Sequence, residues 1–246
     1  MSIVVSEPQP GVRQLTMDRP GTKNALDIES YSALRAGLLA ADADTDVHAI
    51  VITGAGGAFS SGNDLADFLR QRDPTPALGL LRALVLLQTP LIAAVEGAAV
   101  GIGATMLLHC DLVVAAESAM FRLPFVPLGL TPEGGSSYLL PRAAGPKLAA
   151  ELLLFGDPFT SELAERAGVV NRVVPDGEAL AEALALAVRL GELPPQALRA
   201  AHGILHRDRD ELLAVIDDEI AVFRERLESE EAQAILRAVA DRPKPG

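Results

Sequence analysis

Apolar positions along the chain follow two rhythms, a short alternating or continuous one near the start and a helical one towards the end. Residues 3–5 and Val12–Met17 are apolar segments flanking a Pro/Gly turn, which predicts a hairpin. Asp27 is placed to cap a helix running to about Ala41, with Leu26, Tyr31, Leu34 and Leu38 on its apolar side. Residues 49–53 read as a buried strand, followed by a glycine-rich loop, 54–62, and a helix starting at Asn63. Residues 77–88 predict a helix that Pro90 ends. Residues 91–95 form another strand, 97–101 a second glycine-bearing loop, and a helix starts at about Ile102; 111–115 is a further strand. The unit of strand, glycine loop and helix thus occurs twice. Beyond Pro132 the pattern is mainly helical: 136–144, 146–155, 161–167 and 178–190, with a strand at 169–174. Residues 191–195 read as a linker, and 196–240 supply only helices, whose apolar stripe of Leu198, Ile204, Leu212, Leu213, Ile216, Ile220, Phe223 and Leu227 is expected to close over a pocket or to pack on a neighbouring subunit. The expected architecture is an α/β core over residues 1–190 with a helical region over 191–246.

Composition narrows the class. With 246 residues, 49% of them hydrophobic and 22% charged, the chain can bury a substantial core as one large domain or one domain with an appendage. The net charge of −12 leaves no basic stripe to neutralise phosphates, which argues against a nucleic-acid partner. An anionic small molecule remains compatible, since it needs only a local positive pocket. The single Cys110 excludes an internal disulfide and fits a reducing compartment. The first residues have no basic or apolar signal region, and the longest apolar stretch, 91–108, contains Glu96 and three glycines. Lys244-Pro245-Gly246 is not a peroxisomal address. These features predict a cytoplasmic protein without a membrane partner.

The glycine loops carry the first candidate chemistry. A loop that feeds a helix leaves N–H groups without intrahelical partners at the positive end of the helix dipole. Two such groups, converging, could hold an enolate or a tetrahedral oxyanion. The alternative is that the glycines only permit tight turns. Neither loop reads G-x-x-x-x-G-K-[ST], so a phosphate loop is not indicated.

Taken together, five segments resemble the crotonase (enoyl-CoA hydratase/isomerase) superfamily. Residues 15–27, LTMDRPGTKNALD, resemble its opening signature; 52–65, ITGAGGAFSSGNDL, its first oxyanion loop; and 93–104, AAVEGAAVGIGA, its second. Residues 149–156, AAELLLFG, and 164–170, AERAGVV, are similar to its later helical landmarks. The resemblance implies a spiral of ββα units with a C-terminal helical region that helps to build a homotrimer, often paired as a hexamer. It implies an acyl-CoA substrate and no cofactor beyond that thioester. The implied oxyanion donors are the backbone N–H groups of Asn63 and Ile102, where the family commonly has Ala and Gly; Ile102 is tolerable only at negative φ. Lys23 corresponds to a basic residue near the CoA phosphates, and Ala25 and Leu65 to positions lining the pantetheine and adenine. Ser61, Gly62 and Asp64 belong to the same substrate-binding loop.

The superfamily hosts many reactions, so carboxylates must distinguish them. Its hydratases commonly use two glutamates, and the matching positions are Thr105 and Phe125, neither of which can serve as a general base. Both are expected to matter only through packing. One glutamate remains nearby, Glu133, in 128–138, LGLTPEGGSSY, which resembles the peroxisomal-type Δ3,Δ2-enoyl-CoA isomerases, as do 61–65 and 123–129. Read locally, Glu133 could be a helix N-terminal residue favoured by the dipole; read with the motif, it is the base and acid of a double-bond shift, surrounded by Phe125, Val126 and Leu130. Other crotonase-type reactions such as hydration, and a catalytically silent acyl-CoA-binding protein, stay open. Glu96 reads as a structural hydrogen-bonding group and Glu117 as solvated. His109 and Cys110 read as packed at a helix-to-strand junction. His202 and His206 have i, i+4 spacing but no third metal ligand visible in the sequence.

Overall fold

The computed structural model describes residues 2–71 and 73–241. In chain order its elements are β1 (Ile3–Gln9), β2 (Val12–Met17), α1 (Ile28–Ala43), β3 (Ala49–Gly54), α2 (Leu65–Gln71), α3 (Thr75–Leu86), β4 (Leu91–Val95), β5 (Ala98–Val100) and α4 (Ile102–Thr105). Then come β6 (Leu112–Ala116), β7 (Met120–Arg122), α5 (Ser136–Ala144), α6 (Pro146–Phe155), β8 (Phe159–Thr160), α7 (Ser161–Arg166) and β9 (Arg172–Val174). Helices α8 (Ala179–Gly191), α9 (Pro195–Leu205), α10 (Arg209–Glu228) and α11 (Glu230–Ala240) complete the described chain.

Six strands form one sheet in the order β1-β2-β3-β4-β6-β9. Only β1–β2 is antiparallel; the other pairs are parallel. A parallel sheet is covered on both faces, and its strands are therefore apolar at successive positions. In β3, Ile50 and Ile52 enter the main core, whereas Ala49 and Val51 face the second cluster with Ala183 and Ala187 of α8. A smaller sheet, β5-β7-β8, lies outside this one. Its strands span two to three residues, too short for a period to show, so 97–101 reads in sequence as a loop although it contains β5.

Most other predicted elements hold to within a few residues. The first strand runs on through Pro8, where the register shifts between Ser6 and Gln9, as an edge strand allows. Asp27 caps α1, its carboxylate accepting from Ser30 N–H at 2.8 Å. The helix expected from Asn63 starts two residues later. Residues 62–64 are held instead by Leu26, whose N–H donates to Gly62 O and whose carbonyl accepts from Asp64 N–H. The C-terminal helices fold back on the core: Ile216, Ile220, Phe223 and Leu227 of α10 belong to the same apolar cluster as the sheet. Ile204 of α9 stays 67% exposed, so the predicted stripe is only partly buried within the chain. Residues 242–246, with the Lys244-Pro245-Gly246 end, lie outside the described residues.

Candidate active site

Two glycines let the glycine loops meet. Gly62 sits at φ +88°, and a Cβ there would stand 2.6 Å from Val100 O. Gly101 at φ +55° precedes α4. Between them the backbone of Ser60 pairs with the β5 strand, donating to Ala98 O and accepting from Val100 N–H, both at 2.9 Å. Asn63 and Ile102 therefore each follow a glycine at this junction. Their N–H groups donate to no protein acceptor among the described residues. Ile102 is not among the positive-φ residues, which are Lys23 and Asn24 apart from glycines.

Glu133 lies three residues before α5, in a turn where Gly134 and Gly135 both take positive φ. It is 4% exposed. Thr105 Oγ1, on the last residue of α4, donates to Glu133 Oε1 at 2.6 Å. Burial raises the Glu133 carboxyl from the usual 4.5 to about 7; the Thr105 hydrogen bond opposes this and the Glu219 charge adds to it. The turn is pinned from two sides. His109 Nε2–H donates to Gly134 O at 2.7 Å, and Glu219 of α10 accepts from Gly135 N–H at 2.6 Å and Ser137 N–H at 3.0 Å. Thr105 is thus more than the packing residue the sequence suggested, because its hydroxyl holds the one buried carboxylate among the described residues.

Glu133 and Asn63 line the same narrow cavity, with about 30 Å³ of space. Its apolar wall comes from Leu26, Phe68, Ile220 and Phe223. Phe125, Val126 and Leu130, expected to surround Glu133, do not line it, and Val126 is 44% exposed because it sits on the outer side of the 126–128 turn. Tyr31 does line it, and its hydroxyl donates to Asn63 Oδ1. Burial, then the Glu133 and Asp27 carboxylates, push the Tyr31 phenol well above its ordinary value, so it stays a donor.

The remaining expected site residues surround this cavity unequally. Asp64 lines it and is paired with Arg19, Oδ2 to Nη2 at 3.2 Å. Ile102 does not line it but shares α4 with Thr105. Ser61 N–H donates to Lys23 O, and Lys23 is exposed at a left-handed turn, φ +52°. Ala25 is buried and Leu65 half-buried. Tyr31, His109 and Glu219 escaped sequence reasoning as site residues and carry no local signal of that role; Ile220 and Phe223 belong to the stripe expected to close over a pocket, and both line the cavity.

Other residues keep or change their reading. Glu96 is structural, its carboxylate accepting from Gly177 and Ala179 N–H at the start of α8. Glu117 is exposed. His202 and His206 do have a third partner, Asp111.

Residues 7–245 match the enoyl-CoA hydratase/isomerase family model. Enoyl-CoA delta isomerase 2 of Rattus norvegicus is 35% identical over 95% of this chain, which spans 62% of that protein's length. The 2,3-dehydroadipyl-CoA hydratase of Escherichia coli is 37% identical, covering 85% of this chain and 84% of its own. The structure of Pseudomonas aeruginosa OdaA superimposes with a TM-score of 0.95 at 42% identity, covering 98% of this chain and 99% of that one. Among the described residues no helix is long and apolar enough to cross a membrane.

Proposed function

The chain belongs to the enoyl-CoA hydratase/isomerase family, and on that premise we propose that it shifts the double bond of a 3-enoyl-CoA to the 2-position, with Glu133 as the sole base and acid. The observation that carries this reading is that, of the carboxylates lining the cavity shared with Asn63, only Glu133 among the described residues is buried, Asp64 and Asp67 being half-buried and Asp73 exposed. A hydratase of the two-glutamate kind needs a second carboxylate, and the corresponding positions hold Thr105 and Phe125.

The ionised Glu133 removes a proton from C2. The C–H electron pair passes into the thioester, giving a dienolate whose oxygen the Asn63 and Ile102 N–H groups hold. Glu133 then returns the proton to C4; the C2–C3 double bond forms and the thioester carbonyl is restored. Protons and electrons balance with no water or cofactor. Preorganised donors of this kind contribute about 3–4 kcal/mol each to the transition state. Thr105 occupies Oε1, so Oε2 is the oxygen left for the shuttle. A carboxyl near 7 is matched to a reaction at neutral pH, a stronger base than an ordinary glutamate yet largely ionised just above that value. Lys23, Ala25, Ser61, Gly62, Asp64 and Leu65 form the proposed path for the CoA portion, and the bound state is one in which the wall of Phe68, Ile220 and Phe223 moves outward, because the cavity as it stands does not hold an acyl chain.

The test is incubation with 3-enoyl-CoA and, separately, 2-enoyl-CoA, following conjugation and hydration as two signals. Conjugation without appreciable hydration is expected. Glu133→Gln keeps the side-chain shape and removes the base, so kcat should fall by at least about 10²–10⁴-fold with little change in KM. Hydration as the faster wild-type reaction, or a Gln variant with undiminished turnover, would overturn the reading. Binding of acyl-CoA without either reaction would assign the chain a silent, substrate-holding role.

A further inference from the structure

Two imidazoles and a carboxylate converge where helix α9 meets the sheet, and none of the three lines the Glu133 cavity. We propose that Asp111, His202 and His206 form a binding site for one divalent transition-metal ion of the zinc class, fastening the C-terminal helices to strand β6.

The i, i+4 spacing puts His202 and His206 on one face of the end of α9. Asp111, immediately before β6, meets that face from 91 and 95 residues away in sequence. Its Oδ1 lies 3.1 Å from His202 Nε2 and 2.8 Å from His206 Nε2. All the potential ligand atoms fall within 4.8 Å of one another. Ligand atoms about 2.0–2.1 Å from a tetrahedral ion stand about 3.3 Å apart, so the two Asp111–histidine separations need to open by a few tenths of an ångström to admit the metal. Two imidazole nitrogens and one carboxylate oxygen suit zinc, cobalt or ferrous iron better than magnesium or calcium.

The surroundings are those of a built site. Asp111 Oδ2 accepts from Leu91 N–H at 2.8 Å, which fixes the carboxylate, with Oδ1 near both histidines and Oδ2 itself 3.2 Å from His202 Nε2. No Lys or Arg pairs with Asp111 among the described residues, so a bound cation would meet a carboxylate that no basic side chain neutralises. His202 is buried at 6% exposure, whereas the His206 side chain is one-third exposed. That gradient leaves one side of the cluster open to ion entry and to a water in the fourth position.

The test uses the full chain, stripped with a chelator and titrated with Zn²⁺ in a calorimeter and with Co²⁺ in a visible spectrometer. Expected are one ion per chain, the d–d absorption of low-coordinate Co²⁺, and a Tm that rises with metal. His206→Gln is the informative variant. Its amide can still donate to Asp111 but does not ligate, and its partly exposed position spares the fold. It should weaken Zn²⁺ binding by at least about tenfold and leave the metal-free Tm unchanged. His48→Gln, at a residue before β3 whose N–H donates to Gly11 O and which is no part of the cluster, should bind as the wild type does. Binding no tighter than millimolar in the wild type, or equal affinity in His206→Gln, would overturn the site and leave the cluster as a hydrogen-bonded clasp.

Discussion

Glu133 is poised by burial and by two neighbours acting in opposite directions, and the direction of each neighbour can be checked. Burial raises its carboxyl to about 7, Thr105 pulls it down by donating to Oε1, and Glu219 pushes it up. If the ionised form is the base, kcat/KM for isomerisation rises with pH through about 7 and levels off above it. Thr105→Val removes the hydrogen bond that favours the charged form, so the acid limb should move to higher pH. Glu219→Gln removes a negative charge while keeping an acceptor for the Gly135 and Ser137 N–H groups, so the limb should move to lower pH. Limbs that stay put, or move together, would mean that another group controls the rate. At this scale the sequence was uneven. The 128–138 motif pointed to Glu133, but a threonine at the end of a four-residue helix carries no sign that a carboxylate 28 residues later will need its hydroxyl. Tyr31 fits an apolar helix stripe, and its polar role appears only because Asn63, 32 residues on, is brought to its hydroxyl.

At the scale of elements, α10 does work that its own sequence does not announce. Gly135 stands at the N-cap of α5 and offers no side chain to the free N–H groups there. Glu219 caps α5 from outside, accepting from Gly135 N–H and Ser137 N–H. Removing it in Glu219→Ala should cost about 1–2 kcal/mol, the range for lost caps and charge-assisted bonds. A Tm equal to that of the wild type would show that water replaces the carboxylate without loss; Glu219→Gln should lie between the two. Elements bounded by glycine or proline, such as α5, α6 and β4, were legible with their ends, because those residues fix where a periodic segment must stop. Helix capping across 82–84 residues has no local pattern, and neither do strands as short as β5, β7 and β8.

For the whole molecule, the C-terminal helices had two possible fates from sequence, closing over the pocket or packing on another copy. The structure divides them. Ile220 and Phe223 line the cavity, and Ile216 and Leu227 are fully buried, so this part of the stripe is satisfied within the chain. Charge patterning alone could not reveal this, since α10 is acidic and basic on its outer side and its apolar positions suit either partner. What remains for association lies elsewhere. Leu154 and Phe155 at the end of α6 are 59% and 67% exposed, and Val126 on the turn that packs against α6 is 44% exposed. Exposed apolar side chains grouped in this way mark an interaction surface more often than isolated ones do. The expected assembly is a trimer or a pair of trimers at micromolar concentration, measured by light scattering. Leu154→Asp combined with Phe155→Asp should shift that mass towards the monomer, with the far-ultraviolet circular dichroism unchanged. Ile204→Asp combined with Leu205→Asp, on the equally exposed end of α9, gives the comparison: if that pair dissociates the assembly and the α6 pair does not, the interface belongs to the C-terminal helices instead. A wild-type mass of one chain at micromolar concentration would remove both.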